Sequence, residues 1–169
     1  HAIGNFERIG DYAVNILKTK RTMHEDKIHF SKEASKELEV MSSAVQEIIT
    51  KATNAFIEND VAAAQTIALL LSENGTLEQV IDNLKAELRA RHTKRLQAGE
   101  CTIETGMLFF DIINSFERIA DHCSNLAVCI IELSQGSYQT HRYLKSVKSQ
   151  ENARFMKSFE DYLRKYALH

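Results

Sequence analysis

Apolar residues recur at intervals of three and four along most of the chain, which is the spacing of one face of an α-helix. No stretch of useful length alternates between apolar and polar residues, so strands are not expected. The sequence contains no proline, which leaves long helices uninterrupted. The pattern therefore predicts an all-α fold, a helical bundle with antiparallel neighbours. The predicted helices span residues 2–20, 31–58, 60–98 and 102–134, with one or two short helices after residue 138.

Polar residues and glycines mark where these helices begin and end. Ser31, Asp60 and Thr102 are suited to accept hydrogen bonds from the free N–H groups of a first helical turn. Breaks in the helical pattern are expected in the charged connection 19–29, at a kink at Asn74-Gly75, and at the stops Gly99 and Gly136.

The spacing also assigns the apolar face of the two last segments. The stripe of the fourth helix centres on Phe109, Phe116, Ala120, Cys123, Ala127 and Ile130. The buried side of the tail is expected to hold Tyr143, Leu144, Val147, Phe155, Phe159, Tyr162, Leu163 and Tyr166. Side chains off these stripes are expected to be accessible to solvent.

Composition narrows the class of protein. The 169 residues are 44% hydrophobic and 26% charged, which is typical of a soluble globular chain. The net charge is −2 and there is no basic tract, so a nucleic-acid partner is not expected. Cys101, Cys123 and Cys129 show no C-x-x-C spacing and no evident pairing with histidine, which favours reduced thiols. No apolar run is long enough to span a bilayer. The chain begins at His1, and we interpret it as a fragment of a longer protein.

The most informative feature is an internal repeat. Residues 6–11 read F-E-R-I-G-D and are followed by Asn15, whereas residues 116–121 read F-E-R-I-A-D and are followed by Asn125. The two copies stand 110 positions apart, and chance is a poor explanation for them. About eighty helical residues precede the second copy in its unit, but only five precede the first. Most of a first unit is therefore expected to lie upstream.

The repeated motif places acidic side chains one above another. Residues four apart share a helix face, so Glu117 and Asp121 form a vertical pair, as do Glu7 and Asp11. These carboxylates fall outside the apolar stripe and are expected to be accessible. Like charges at this spacing repel, and a bound divalent cation would offset the repulsion. The alternative is an ordinary solvated helix face.

A third carboxylate pair of the same spacing lies on the third helix. Glu78 and Asp82 could come beside Glu117 and Asp121 if the two helices are neighbours. His92 and His122 could bind the metal through nitrogen or contact its ligands. Because His122 is adjacent to Asp121 and points elsewhere, a surface position or a contact with a ligand is favoured for it. No phosphate loop and no nucleophile paired with a base is visible, so an enzyme is not expected.

At this point the chain resembles a known family. The repeated motif is similar to the signature of the PhoU, or phosphate-uptake regulator, domains. The resemblance implies tandem three-helix bundles that bind iron-type or other divalent metal ions at Glu7 and Asp11 and at Glu117 and Asp121. It implies one PhoU-like domain over residues 1–169. Its parts would be the last helix of a truncated first repeat (1–20), a second three-helix repeat (30–135) and a helical tail (138–169).

Further stretches resemble the version of this domain that is fused to bacterial sodium/phosphate cotransporters. They are R-H-x-x-R-L-Q-x-G-x-C at 91–101, D-H-C-S-N at 121–125 and Y-L-R-K-Y-A-L at 162–168. This implies a regulatory metal-binding domain that controls phosphate uptake. Its partner would be a transmembrane phosphate-transporter domain at the cytoplasmic face of the plasma membrane, and this fragment by itself would be soluble.

Alternative functions stay open at this stage. The chain could come from a free-standing PhoU-type regulator that acts on an ABC phosphate transporter and its sensor kinase. It could be a plain helical interaction scaffold without metal, or a metal-dependent hydrolase of the carboxylate-bundle type. A first helix without its own bundle also makes a homodimer plausible.

Overall fold

Six α-helices are present in the computed structural model, which describes residues 1–68, 77–135 and 152–169. They are α1 (Ala2–Glu25), α2 (Lys32–Ile57), α3 (Val61–Ala68), α4 (Leu77–Gln97), α5 (Ile103–Gln135) and α6 (Asn152–Lys165). These ranges contain no strand, and the predicted all-α helical-bundle class is confirmed. None of the helices in the described ranges combines the length and the apolar character that a membrane span needs.

The first helix is longer than the sequence pattern predicts. α1 continues to Glu25, so the predicted end at residue 20 is wrong. Its last turns contain no glycine or proline, and Arg21 Nε forms an ion pair with Glu25 Oε1 at 2.7 Å. Arginine and glutamate are good helix formers, and the left-handed backbone of Lys27 (φ 56°), which cannot continue a helix, comes only after Glu25.

The predicted helix starts are confirmed by hydrogen bonds. Ser31 Oγ accepts from Ala34 N at 3.1 Å, and Asp60 Oδ1 accepts from Ala63 N at 3.0 Å. Thr102 Oγ1 likewise accepts from the N–H of Thr105 at 3.1 Å. Each side chain satisfies a donor that has no partner inside its helix.

The stop after α4 is also confirmed. Gly99 has φ 71°, a left-handed conformation that glycine adopts without the steric penalty of other residues. The N–H of Glu100 reaches back to Arg95 O at 2.9 Å. The residues expected to lie at the kink, at the second stop and in the first part of the tail fall outside the described ranges; they are Asn74, Gly75, Gly136, Tyr143, Leu144 and Val147.

The helix α5 forms the centre of the bundle and packs against α1, α2, α3 and α4. A helix with neighbours on several sides buries more than one stripe. The predicted stripe is largely buried, although Phe116 is only half-buried. Further buried side chains of α5 outside it are Ile112, Ile113, Ile119, Leu126 and Ile131. The flanks of α5 are therefore less accessible than a single stripe predicts.

The tail helix α6 is held against the bundle by one carboxylate of α2. Glu47 Oε2 lies 2.6 Å from Lys165 Nζ and accepts a hydrogen bond from the Tyr166 hydroxyl. Tyr166 is buried as predicted, whereas Leu163 is 39% exposed, so its predicted burial is wrong. Lys51 of α2 also donates a hydrogen bond to the Tyr162 hydroxyl, so two tyrosines and a lysine of the tail contact α2.

Candidate metal centre

Three carboxylates from two helices converge on the side of α5 that faces α4. Asp82 comes from α4, and Glu117 and Asp121 lie one turn apart on α5. One oxygen atom of each lies within 4.8 Å of the others, a spacing at which three side chains can share one ion. The sequence left open whether the carboxylate pairs of α4 and α5 lie side by side. In the fold the two helices are neighbours and the pairs do lie side by side.

The fourth carboxylate of this region, Glu78, is deeper in the protein. It lies one turn before Asp82 on α4 and shares a hydrogen bond with the buried side chain of Ser124. Its Oε2 atom is buried and has no hydrogen-bond partner within the described part of the chain. Burial first, and then the negative charges of Asp121, Asp82 and Glu117, raise the pKa of Glu78 from 4.5 to about 7, although the hydrogen bond with Ser124 acts in the opposite direction. A buried acceptor without a donor is rare in proteins, and it is costly unless a proton or a cation satisfies it.

The surrounding carboxylates repel one another. Burial raises the pKa of Asp82, and the charges of Glu117 and Asp121 add to this effect. The pKa of Asp121 is raised first by burial and then by Glu117. The fold thus holds several acidic groups in one half-buried place, where each makes ionisation of the others less favourable.

Two basic side chains offset part of the negative charge of these carboxylates. Lys85 Nζ of α4 lies 2.9 Å from Glu117 Oε2, and both side chains are largely buried. Arg118 Nη1 lies 3.2 Å from Asp121 Oδ2, but the arginine side chain is 56% exposed. Arg118 therefore covers the solvent side of the cluster, while the unpartnered oxygen of Glu78 lies on the buried side.

The burial corrects one expectation from the sequence. Glu117 and Asp121 were expected on an accessible flank, yet their side chains are only 15% and 28% exposed. The reason is that α4 packs on this flank of α5 and covers it. Partial burial lowers the effective dielectric constant, which strengthens both the repulsion among the carboxylates and their attraction for a cation.

The donor set fits a divalent cation. Carboxylate oxygens suit hard and intermediate ions such as Mg²⁺, Ca²⁺, Mn²⁺ and Fe²⁺. Asp82, Glu117 and Asp121 would hold the ion. Glu78, the fourth predicted ligand, does not belong to this group of converging oxygens, although its charge interacts with all three. Binding would neutralise the mutual repulsion and tie α4 to α5.

The first copy of the repeated motif has a different environment. Glu7 and Asp11 are exposed on α1, and Asp11 Oδ2 lies 3.8 Å from Arg8 Nη1. Within the described ranges these two carboxylates do not join a group of three potential ligands. Asn15 is exposed, and its backbone carbonyl accepts a hydrogen bond from the Thr19 hydroxyl. Metal binding at this copy stays a prediction.

The predicted outer residues of the second copy do not join the three-carboxylate group. His122 Nδ1 lies 3.0 Å from Asn5 Oδ1, and its ring stacks on Tyr12 of α1. Asn125 is exposed one turn beyond Asp121. The His92 ring is buried and stacks on Phe109, with ring centroids 4.1 Å apart. Ten residues separate His92 from Asp82 on α4, which corresponds to about 15 Å along a helix.

Sequence analysis missed two contributions. Lys85 and Ser124 contact the carboxylates, and their spacing of three residues from Asp82 and Asp121 is the only signal for them in the sequence. The expectation that no cysteine pairs with a histidine is wrong, because Cys101 Sγ lies 3.7 Å from His92 Nε2. The turn at Gly99 reverses the chain and returns Cys101 to the last turns of α4.

Comparison with known proteins defines the class. The sequence profile of the PhoU domain matches residues 38–130, which is more than half of the chain and includes Glu78, Asp82, Glu117 and Asp121. The chain therefore belongs to the PhoU domain family, whose members are regulatory or accessory proteins.

One curated relative is the phosphate-specific transport system accessory protein PhoU homolog 1 of Thermotoga maritima. It is 29% identical over 145 residues, which cover 86% of this chain and 58% of the relative. The chain thus spans less than two thirds of the length of that protein. No solved structure matches the chain significantly.

Proposed function

We propose that the chain is a regulatory domain that controls phosphate uptake and binds a divalent or iron-type cation between α4 and α5. The observation that carries the metal site is the convergence of Asp82, Glu117 and Asp121 beside a buried, unpartnered oxygen of Glu78. Surface acidic groups often cluster without an ion, but these side chains are half-buried and repel one another. A cation is the simplest way to offset that repulsion.

The regulatory step follows from where the ligands lie. Asp82 belongs to α4, whereas Glu117 and Asp121 belong to α5, the helix that contacts most of the bundle. An ion held by both helices favours one arrangement of α4 on α5 over others. A change in metal loading would then alter the surfaces that these helices present to a partner.

The link to phosphate uptake rests on membership of the PhoU family and on the relative named as an accessory protein of a phosphate-specific transport system. We propose a transmembrane phosphate transporter as the partner, at the cytoplasmic face of the plasma membrane. The resemblance of residues 91–101, 121–125 and 162–168 favours attachment to a sodium-dependent transporter. The name of the relative favours the second candidate, a free-standing regulator of a separate phosphate-transport system.

The upstream reading frame distinguishes the two candidates. Several apolar segments of about 20 residues before residue 1 would identify a cotransporter. An upstream region that instead encodes only amphipathic helices would identify a free-standing regulator.

The outer face of α1 supports the existence of a partner. Ile3, Val14 and Leu17 are 78%, 47% and 68% exposed, and they recur at helical spacing. Upstream helices, a transporter domain or a second copy of the chain could cover them. Light scattering of the purified chain tests the homodimer, and a monomer at high concentration would exclude it.

A transport assay tests the regulatory function. Phosphate uptake is measured in cells that carry the full-length protein as wild type or with Asp82→Asn and Asp121→Asn. We expect the double variant to lose the adjustment of uptake to external phosphate while the protein stays folded and abundant. Unchanged adjustment in the double variant would contradict the proposal.

A further inference from the structure

A thiol at the other end of α4 opens into a cavity. Cys101 is half-buried in the turn between α4 and α5. It lines a cavity of about 540 Å³ together with hydroxyl, basic and acidic side chains. The residues that line this cavity include Ser31, Glu33, His92, Arg95, Glu100 and Thr105. This cavity is separate from the carboxylate cluster, which lies near the start of α4.

A chain of buried polar side chains ends at this thiol. Arg95 Nη1 and Nη2 donate to the two carboxylate oxygens of Glu37 at 3.1 and 2.6 Å. Arg95 Nη2 also lies 3.2 Å from His92 Nδ1, and His92 Nε2 lies 3.7 Å from Cys101 Sγ. The side chains of Glu37 and Arg95 are 8% and 14% exposed, and His92 is 1% exposed. Buried polar groups of this kind have well-defined positions because each satisfies the next.

The chain fixes the proton on the imidazole. A guanidinium group has donors only, so the Nδ1 atom of His92 must accept from Arg95. Burial lowers the pKa of His92 and the positive charge of Arg95 lowers it further, which favours the neutral ring. A neutral ring with an accepting Nδ1 carries its hydrogen on Nε2. His92 therefore donates to the sulfur of Cys101, and a donor of this kind stabilises negative charge on sulfur.

The other two cysteines lack this environment. Cys123 is fully buried, and burial raises the pKa of its thiol to about 12. The sulfur of Cys129 accepts a hydrogen bond from the neutral amide of Asn5 at 3.8 Å, but burial and the charge of Glu132 outweigh it and raise the pKa of this thiol. The thiolate is the reactive form of cysteine, so a raised pKa makes both thiols less reactive than a cysteine with an ordinary pKa.

We propose that Cys101 is a modification site that forms a mixed disulfide with low-molecular-weight disulfides that enter the cavity. The sulfur of Cys101 attacks one sulfur of RS–SR, a new S–S bond forms, and the old S–S bond breaks. The RS⁻ leaving group takes up the proton that Cys101 loses, so the products are the Cys101 mixed disulfide and RSH. His92 acts as a positioning residue that donates to the sulfur. The site is independent of metal binding and gives the domain a response to the thiol–disulfide balance of its surroundings.

Labelling of the native wild-type chain tests the proposal without any substitution. The protein is treated with oxidised glutathione at neutral pH, and the modified cysteines are identified by mass spectrometry over time. We expect Cys101 to be modified first, at least about tenfold faster than Cys129, and Cys123 only after unfolding. Modification of Cys129 or Cys123 at the same rate as Cys101 would overturn the proposal.

Two substitutions test the role of His92. His92→Phe keeps an aromatic ring against Phe109 but removes the N–H donor, whereas Cys101→Ser removes the reacting atom. We expect C101S to lose the fast reaction. H92F should slow it by about tenfold at neutral pH and move its pH profile to higher pH, because a hydrogen bond to a charged group is lost. An H92F protein that melts as wild type and reacts with the wild-type pH profile would contradict the role of His92.

Discussion

Lys85 of α4 and Glu117 of α5 form an ion pair with 2.9 Å between Nζ and Oε2, and their side chains are only 24% and 15% exposed. Glu117 belongs to the three carboxylates that can share a cation. In the metal-free protein, Lys85 therefore supplies part of the positive charge that a bound metal ion would supply. Removal of this lysine is expected to affect the metal-free and the metal-bound protein differently.

The substitution Lys85→Met tests this relationship. In chelator-treated protein it leaves Glu117 with the exposed Arg118 alone, whose Nε lies 3.7 Å from Glu117 Oε2. We expect a loss of roughly 1–2 kcal/mol, between the values of exposed and buried pairs. Metal should restore most of this stability because the ion neutralises the same carboxylate. Thermal melting with chelator and with added Mn²⁺ measures both effects.

A matched control for this change is Arg21→Met, which breaks an exposed pair with Glu25 on α1. We expect it to change stability little, with or without metal. A metal-induced rise of the melting temperature that is no larger in K85M than in wild type would contradict a role of Lys85 beside the ion.

The two copies of the repeated motif differ at Gly10 and Ala120. Ala120 is fully buried in α5, whereas Gly10 is exposed in α1 and an added Cβ would meet no atom within 4 Å. Alanine loses less backbone entropy in a helix than glycine does. Gly10→Ala is therefore expected to stabilise the chain by roughly 0.5–1 kcal/mol, measured by urea denaturation.

Gly106 provides the contrast for this prediction. A Cβ there would lie 2.9 Å from Leu96 Cδ1, so the leucine would have to shift. Gly106→Ala should consequently gain less than Gly10→Ala or lose stability. A loss of stability in G10A would mean that the outer face of α1 is in contact with another surface in solution.

The cluster around Glu47 predicts a pH dependence at the acidic end. Burial alone raises the pKa of Glu47, but hydrogen bonds from Lys165, Tyr166 and Lys51 outweigh it and lower the pKa from 4.5 to about 2. A group with a lower pKa in the folded state stabilises that state above the unfolded pKa and loses this effect as the pH falls. The contribution of Glu47 is thus expected to be complete above about pH 5 and to fade towards pH 2.

The difference in unfolding free energy between wild type and Glu47→Gln isolates this effect from the other carboxylates. We expect the difference to be largest near neutral pH and to shrink as the pH falls from 4.5 towards 2. Glu160→Gln on the exposed side of α6 serves as the control and should show no such trend. A difference that does not vary between neutral and acidic pH would contradict the attachment of the tail through an ionised Glu47.

Local patterns in the sequence predicted the features that arise within a single helix. The stacking of Glu117 over Asp121 follows from helix geometry, and the caps at Ser31, Asp60 and Thr102 follow from side-chain chemistry. Each of these features could be predicted because the interacting residues lie within four positions of one another along the chain.

What the sequence did not predict depends on contacts between helices. The burial of Glu117 and Asp121 results from the packing of α4 on the flank of α5, and one apolar stripe does not reveal how many neighbours a helix has. The contact of Cys101 with His92 crosses a turn and joins residues nine apart. The pairing of Glu47 with Lys165 spans 118 residues and has no signal in the spacing of either segment.

The measurement that most directly tests the metal centre is a Mn²⁺ titration of the purified chain, followed by calorimetry and by metal analysis after dialysis. Wild type is compared with Asp82→Asn/Asp121→Asn and with Glu7→Gln/Asp11→Asn, which removes the same number of charges from the first copy of the motif. We expect wild type and E7Q/D11N to hold one ion at the α4–α5 site. The D82N/D121N variant should bind at least about 100-fold more weakly, since it loses ligands and not only their outer partners. Equal Mn²⁺ affinity of wild type and D82N/D121N would contradict the account.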